Sequence, residues 1–433
     1  MCMSIINWDT LSPDEQESTL KRPVICNLDD QKNTVIEIFQ NIKSNGDDAL
    51  RQYTLLYDNI EIDNFMMTDD EINKAVNRTS DVLKDSINNA ILNIKKFHEY
   101  TMGLEKDPID INPGVQCQTI YRPIDSVGLY IPAGNNPLPS TVTMLGVPSI
   151  LAGNKERIVV SPPNEEGLVN DVIVTAAALC GIDKIYKVGG AQSIAAMAYG
   201  TETIPKVDKI FGPGNSWVTT AKQLISTLNI PVAIDMPAGP TEVLIISDGY
   251  TDPIFVAFDL LSQAEHGIDS QVILLSDDKG FLDKVRIEIN NALEFISTRE
   301  TAEKSLKNSK FIYVKDIKCA FNISNNYSPE HLIVSMKSAE RWLDVIESAG
   351  SIFLGEWSPE SAGDYCSGTN HVLPTSGFAN SYSGLSVDSF RKAISVQKLS
   401  EEGLRLMSND IINLARAEGL EAHARAVEVR MDK

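Results

Sequence analysis

The chain reads as an α/β protein made of two doubly wound units, flanked by small helical segments at either end. Three observations predict this. From Ser126 onward, short apolar runs alternate with helix-period segments, and runs starting at residues 126, 157, 184, 209 and 232 lie about 23–31 residues apart, the size of a βα unit in a parallel sheet. A second series of such runs follows Thr241. The composition, with 43% hydrophobic and 22% charged residues over 433 positions, is that of a globular chain long enough for more than one core.

In chain order, the first 125 residues read mostly as helix. Thr68 and Glu71 form a capping-box pattern that opens a long periodic segment, with Ile72, Val76, Leu83, Ile87, Ala90, Ile91 and Ile94 on recurring turns. The first series of strands is SVGLYIP, RIVVSPP, KIYKVGG, KIFGPGN and VAIDMPAGP. The second is EVLIISD (242–248), QVILLSD (271–277), KFIYVKD (310–316), HLIVSM (331–336) and SIFLG (351–355). A hinge is expected at 236–241, where two strands meet across PAGP. A Gly/Ser-rich stretch then runs to about Ser386, and a helical tail begins at Glu401. Its apolar positions (Ile411, Ile412, Leu414, Leu420, Ala422, Ala426) suit packing on its own subunit or on a neighbour's.

Charge narrows the function. With 59 acidic against 38 basic side chains, the net charge is −21, and no basic face is available to replace phosphate counterions, so a nucleic-acid partner is not expected. The longest apolar run, Val172–Ile182, is interrupted by Thr175 and falls short of a membrane span. The N-terminus lacks the pattern of a secretory signal. Six cysteines (Cys2, Cys26, Cys117, Cys180, Cys319, Cys366) show no CxxC spacing, which suits reduced thiols and a cytoplasmic enzyme.

The candidate chemistry sits on few residues. Of five histidines, His98 in KKFHEY reads as solvated or capping. Gln263 and His266 lie three apart at a helix end, on one face, as a weak metal-site pattern or an ordinary terminus. Glu330 and His331 stand at a loop-to-strand junction after Pro329; a carboxylate and an imidazole there suit proton transfer, or simply a surface strand start. SAGDYCSGTNHVLPTSG places Asp364 and His371 in a long glycine-rich loop of the kind that binds ligands. Cys366 within it reads as an inert small side chain rather than a nucleophile. Glu418 and His423 in the tail read as solvated when taken alone.

Glycine-rich turns end several strands: GLYIPAGNN, VGGAQS, FGPGNS and MPAGPTE. Backbone N–H groups and helix N-termini there suit an anionic ligand at a crevice. No GxGxxG fingerprint is present, since Gly212-Pro-Gly214 continues as Asn215-Ser-Trp217. The units are therefore incompletely Rossmann-like.

Together, the blocks GLYIPAG, VGGAQSIAAMAYGTETIPKVDKIFGPGN, DMPAGPTEVLI, LLSQAEHG, NNYSPEHL, GDYCSGTNHVLPTSG and ARAEGLEAHARAVEVR resemble the histidinol dehydrogenase family from about residue 120 to the C-terminus. The resemblance implies oxidation of L-histidinol by two NAD and water to L-histidine, the last two steps of histidine biosynthesis. It implies one zinc per subunit on Gln263, His266, Asp364 and His423, with His423 and Glu418 supplied by the partner of a tail-exchanged homodimer. It casts His331 as general base and Glu330 as activator of water, with the metal as a template for substrate. It assigns Tyr130, Gln192 and Asn215 to NAD, and Thr241, Gln263, His266, His331, Asp364, His371, Glu418 and His423 to substrate. Thr241 stands where Ser is expected, and Cys366 where Ala is usual. The implied organisation is an N-terminal helical arm (1–23), an α/β domain carrying zinc and the catalytic loops (24–125 with 241–385), an NAD-binding α/β domain (126–240) and a helical tail (386–433). Two competing readings are a thiol-dependent aldehyde dehydrogenase using Cys366 and a two-lobed small-molecule binding protein.

Overall fold

The computed structural model describes residues 4–23, 28–133, 136–237 and 239–432. Cys2, Cys26, part of the GLYIPAGNN turn (134–135) and one residue of PAGP (238) lie outside them.

The chain opens with β1 (Ile5–Asn7), α1 (Pro13–Thr19), α2 (Leu28–Asp58), α3 (Asp69–Arg78) and α4 (Asp81–Thr101). The capping box at Thr68 and Glu71 is present, but the periodic segment it opens is two helices, because Ser80 caps a fresh start. Next come β2 (Ile109–Asn112) and β3 (Val115–Pro123). A first βα series follows: β4 (Ser126–Tyr130), α5 (Pro139–Ala152), β5 (Glu156–Ser161), α6 (Asp171–Leu179), β6 (Lys184–Lys187), α7 (Gly190–Tyr199), β7 (Lys209–Phe211), α8 (Ser216–Thr227) and β8 (Ala233–Ile234). The second series is β9 (Glu242–Ser247), α9 (Pro253–Ala264), β10 (Gln271–Ser276), α10 (Lys279–Ala292), α11 (Arg299–Ser305), β11 (Lys310–Tyr313), α12 (Ile317–Tyr327), β12 (His331–Ser335), β13 (Ser351–Leu354) and α13 (Glu360–Tyr365). The chain ends with β14 (Arg391–Leu399), α14 (Glu401–Ala417) and α15 (Glu421–Met431).

Two parallel sheets result, ordered β6-β5-β4-β7-β8 and β1-β11-β10-β9-β12-β13. Their central strands are continuous apolar runs, as both faces are covered; every residue of β9, β10 and β12 is buried. In the first sheet the order reverses between β4 and β7, which opens a crevice at their carboxyl ends. At that point Gly212 has φ +122°, and a Cβ there would collide with the Tyr130 carbonyl oxygen.

Four expectations need correction. Helices α2, α3 and α4 pack on α7, α8, α6 and α5 and share cores with β4 and β5, so most of 24–125 joins the five-stranded unit rather than 241–385. Residues 1–23 are not wholly helical, because β1 pairs in parallel with β11 at the edge of the six-stranded sheet. The segment from 386 is not a purely helical tail either: β14 pairs antiparallel with β3 from Arg391↔Pro123 to Leu399↔Val115. Beyond it, α14 and α15 pack mainly on each other. His98 is not solvated; it is 1% exposed on the inner face of α4. Among the described residues no helix is long and apolar enough to cross a membrane.

Candidate active site

The site forms where the start of β12 meets the start of β9. Helix α12 ends with Ser328 in the left-handed region (φ 53°), and Pro329 turns the chain so that Glu330 and His331 enter the sheet buried. Glu330 Oε2 accepts hydrogen bonds from the Thr241 hydroxyl (2.6 Å) and the Glu242 N–H (2.9 Å). Burial pushes its carboxyl well above the ordinary value, while those two donors pull the other way.

His331 Nδ1 lies 3.3 Å from the Glu242 carbonyl oxygen and 3.6 Å from both Glu330 Oε2 and Glu360 Oε1. With Nδ1–H donated to that carbonyl, the lone pair stays on Nε2, which has no hydrogen-bond partner among the described residues and sits 3.8 Å from Asp364 Oδ1. Burial lowers the ring to about 4, against the pull of Asp364. The imidazole is therefore neutral near pH 7, as a base must be.

Gln263 is buried at the last turn of α9, and its amide is best satisfied with nitrogen toward Glu360 and oxygen toward the Glu242 N–H (3.1 Å). His266 follows one turn later and is exposed. Asp364 comes from the short helix α13, and its carbonyl lies 2.9 Å from His371 Nδ1. Burial lowers His371 as well.

Glu360 had no place in the sequence reading. It is 1% exposed, its Oε2 has no partner among the described residues, and burial holds its carboxyl well up, helped by Asp364 and Glu330. The signal was its spacing, four residues before Asp364 and so on the same helical face.

These groups surround a cavity of about 140 Å³ whose walls include Thr241, Gln263, His266, Glu330, His331, Asp364 and His371. A larger cavity of about 940 Å³ adjoins it, sharing Leu138, His266, Asp364 and Tyr365. Tyr130, Gln192 and Asn215 line the larger one, at the carboxyl ends of the five-stranded sheet. Asn215 caps α8, accepting from Trp217 N–H (3.1 Å) and Val218 N–H (3.2 Å). Glu418 and His423 are absent from both walls; they are exposed at the end of α14 and on α15.

The donors suit a divalent metal. Ligand atoms of His331, Glu360 and Asp364 lie within 4.8 Å of one another, and Glu360 Oε2 is buried without a partner among the described residues; of this group only Asp364 is an expected zinc ligand, while Gln263 and His266 line the same cavity. An amide oxygen, an imidazole and a carboxylate without thiolate form the N/O set of an open zinc-type site.

The profile of the family described as histidinol dehydrogenase matches residues 24–431. Relatives named histidinol dehydrogenase include those of Xanthomonas euvesicatoria, 46% identical over 99% of each chain, and Salmonella typhimurium, 48% identical over 99% of this chain and 98% of the relative. The crystal structure of histidinol dehydrogenase from Elizabethkingia anophelis superposes with a TM-score of 0.95 at 46% identity, covering 99% of this chain and 98% of that one. The chain belongs to the histidinol dehydrogenase family. A thiol mechanism at Cys366 finds no support in this fold. Cys366 is exposed at the end of α13, lines neither cavity, and uses its carbonyl to accept from Asn93 Nδ2 (2.8 Å).

Proposed function

We propose that this protein oxidises L-histidinol to L-histidine, withdrawing four electrons by way of a bound aldehyde. The observation that carries the reading is the meeting of the His331 Nε2 lone pair and the Glu330 carboxyl at a small cavity that opens on a larger one. A small substrate beside an extended cofactor fits that pair of volumes.

His331 Nε2 takes the hydroxyl proton of the alcohol as hydride leaves its carbon. The aldehyde stays enclosed; Glu330 takes a proton from the water that adds to it while protonated His331 returns its proton to the former carbonyl oxygen, giving the gem-diol. Its raised pKa makes Glu330, once ionised, a stronger base than a surface carboxylate. His331, having released its first proton, accepts a second from the gem-diol as the second hydride departs. Thr241 and the Glu242 backbone hold both groups in place. NAD, when bound along Tyr130, Gln192 and Asn215, supplies the hydride acceptor for each half of the reaction. Zinc, when held by Gln263, His266 and Asp364 with His423 from a second copy, supplies a template that orients the imidazole and amine of the substrate. His371 and the partner copy's Glu418 complete the substrate contacts.

The test is the yield of NADH per L-histidinol consumed, before and after chelation and on restoring zinc. A yield near two that is lost with chelator and regained with metal supports the reading. A yield near one, or indifference to chelator, overturns it.

A further inference from the structure

Both catalytic groups depend on the backbone of one residue. Glu242, the first residue of β9, donates its N–H to Glu330 Oε2 (2.9 Å) and presents its carbonyl oxygen 3.3 Å from His331 Nδ1. Its side chain is 3% exposed and is gripped at both oxygens by Arg22, from Nε to Oε2 (2.6 Å) and from Nη2 to Oε1 (2.9 Å). Arg22 belongs to the segment after α1, two residues before the stretch matched by the family.

The same guanidinium donates to the Tyr327 carbonyl (2.8 Å) and lies 3.9 Å from the centre of the Tyr327 ring. The Tyr327 hydroxyl lies 2.9 Å from Glu242 Oε2 and 2.8 Å from Gln271 Oε1. Tyr327 ends α12, three residues before Glu330. Arg22 thus joins the two backbone segments that carry the proton-transfer machinery: the start of β9 and the α12–β12 turn. Neither Arg22 nor Glu242 lines the cavity wall next to the reacting groups.

We infer that Arg22 is a positioning residue for Glu330 and His331, acting through Glu242 and Tyr327, an inference that rests on the catalytic roles proposed above. The planar fork of arginine fixes the carboxylate of Glu242 in direction as well as in charge. That in turn fixes the N–H and C=O to which the two catalytic groups are tied. Proton transfer tolerates little displacement, and of the substrate-holding groups only Gln263 shares the Glu242 N–H, while His266 and Asp364 are not tied to it. Loss of Arg22 therefore lowers turnover and leaves substrate binding in place.

The experiment compares wild type with Arg22→Ala, Arg22→Lys and the double variant Arg22→Met/Glu242→Gln, measuring kcat, KM for L-histidinol, zinc content and Tm. Arg22→Ala is expected to lose about ten- to a hundredfold in kcat, as supporting residues of active sites do. KM should stay within about threefold and zinc content should hold, since only the transition-state geometry is disturbed. Arg22→Lys keeps the charge without the fork and falls between. The double variant removes both halves of a buried pair, so Tm returns toward wild type while kcat stays low. Wild-type kcat in Arg22→Ala overturns the inference, as does recovery of kcat together with Tm in the double variant. A rise in KM at unchanged kcat does so too. Glu330→Gln, run in parallel, tests the catalytic reading itself: if it abolishes turnover while Arg22→Ala does not, only the positioning role falls.

Discussion

His98 and His331 show how burial alone decides protonation. Neither faces a carboxylate strongly enough to offset desolvation, and both rings are lowered to about 4. For His331 this yields a neutral imidazole, as the proposed role of base requires. For His98, packed against Phe97 and 3.5 Å from Asn370 Nδ2, it makes folding sensitive to acid. Between about pH 6.5 and 4, the unfolded chain binds a proton at this position that the folded chain refuses, so stability falls as the pH drops through that window. One such group contributes a slope of up to about 1.4 kcal/mol per pH unit. Urea unfolding across that range should therefore be flatter for His98→Gln than for wild type, with His331 still contributing in the same direction. Identical slopes would show that the ring is already protonated when folded. Sequence texture pointed to solvent for His98, because the neighbouring KK and E are polar and the burying partner, Asn370, lies far along the chain. Glu360 was hidden for a similar reason. A lone glutamate in SPES carries no chemical signal until α13 turns it beside His331 and Gln263.

Among the elements, the parallel strands were the most legible, since strands covered on both faces must be apolar throughout and stand out from the polar helices between them. The β2–β3–β14 sheet was not. Its strands are short of buried residues, and β14 finds β3 only across most of the chain's length. The position of the site relative to the sheets was also only half legible. The larger cavity lies at the carboxyl ends of β4 and β7, as the rule for doubly wound sheets leads one to expect, but Thr241, Glu330 and His331 lie at the amino ends of β9 and β12. The two sheets thus meet the ligands from opposite polarities, and no strand pattern encodes that. The β7–α8 turn is where backbone geometry bears most directly on the cavity proposed for the cofactor. Gly212 combines a positive φ with the Tyr130 carbonyl against its Cα, whereas Gly153, past the end of α5, has φ +81° and open space where a Cβ would stand. Gly153→Ala should cost only the backbone conformation, about 1 kcal/mol, and leave the KM for NAD alone. Gly212→Ala should cost more, on the order of 1–3 kcal/mol from strain, and raise the KM for NAD as Tyr130 is pushed aside. Equal effects of the two substitutions on stability and on KM would remove the turn from the cofactor site.

For the whole molecule, the metal and substrate roles proposed for His423 and Glu418 require a second copy. Within one chain, Gln263, His266 and Asp364 line a common cavity, while His423 and Glu418 stand exposed on a helical pair that rests mainly on itself. That pair presents Leu406 (59% exposed), Leu414 (67%) and Val429 (53%), apolar area that a monomer would leave in water. In the proposed two-fold exchange of tails, this surface would be covered and each His423 and Glu418 would reach the other subunit's cavity. Complementation tests the exchange. A Glu330→Gln subunit has a sound tail on a dead body, and a His423→Ala subunit has the reverse; each homodimer should be inactive. After unfolding and refolding an equal mixture, half the dimers are mixed, and one of their two sites unites a sound body with a sound tail. Recovery should therefore reach about a quarter of wild-type activity, as random pairing in a closed dimer requires. If the tail instead served its own subunit, mixed dimers would contain only one defect per site and no sound site, and activity would not return even with subunit exchange demonstrated by differential tagging. That result would leave the cavities as they are and force His423 out of the metal site.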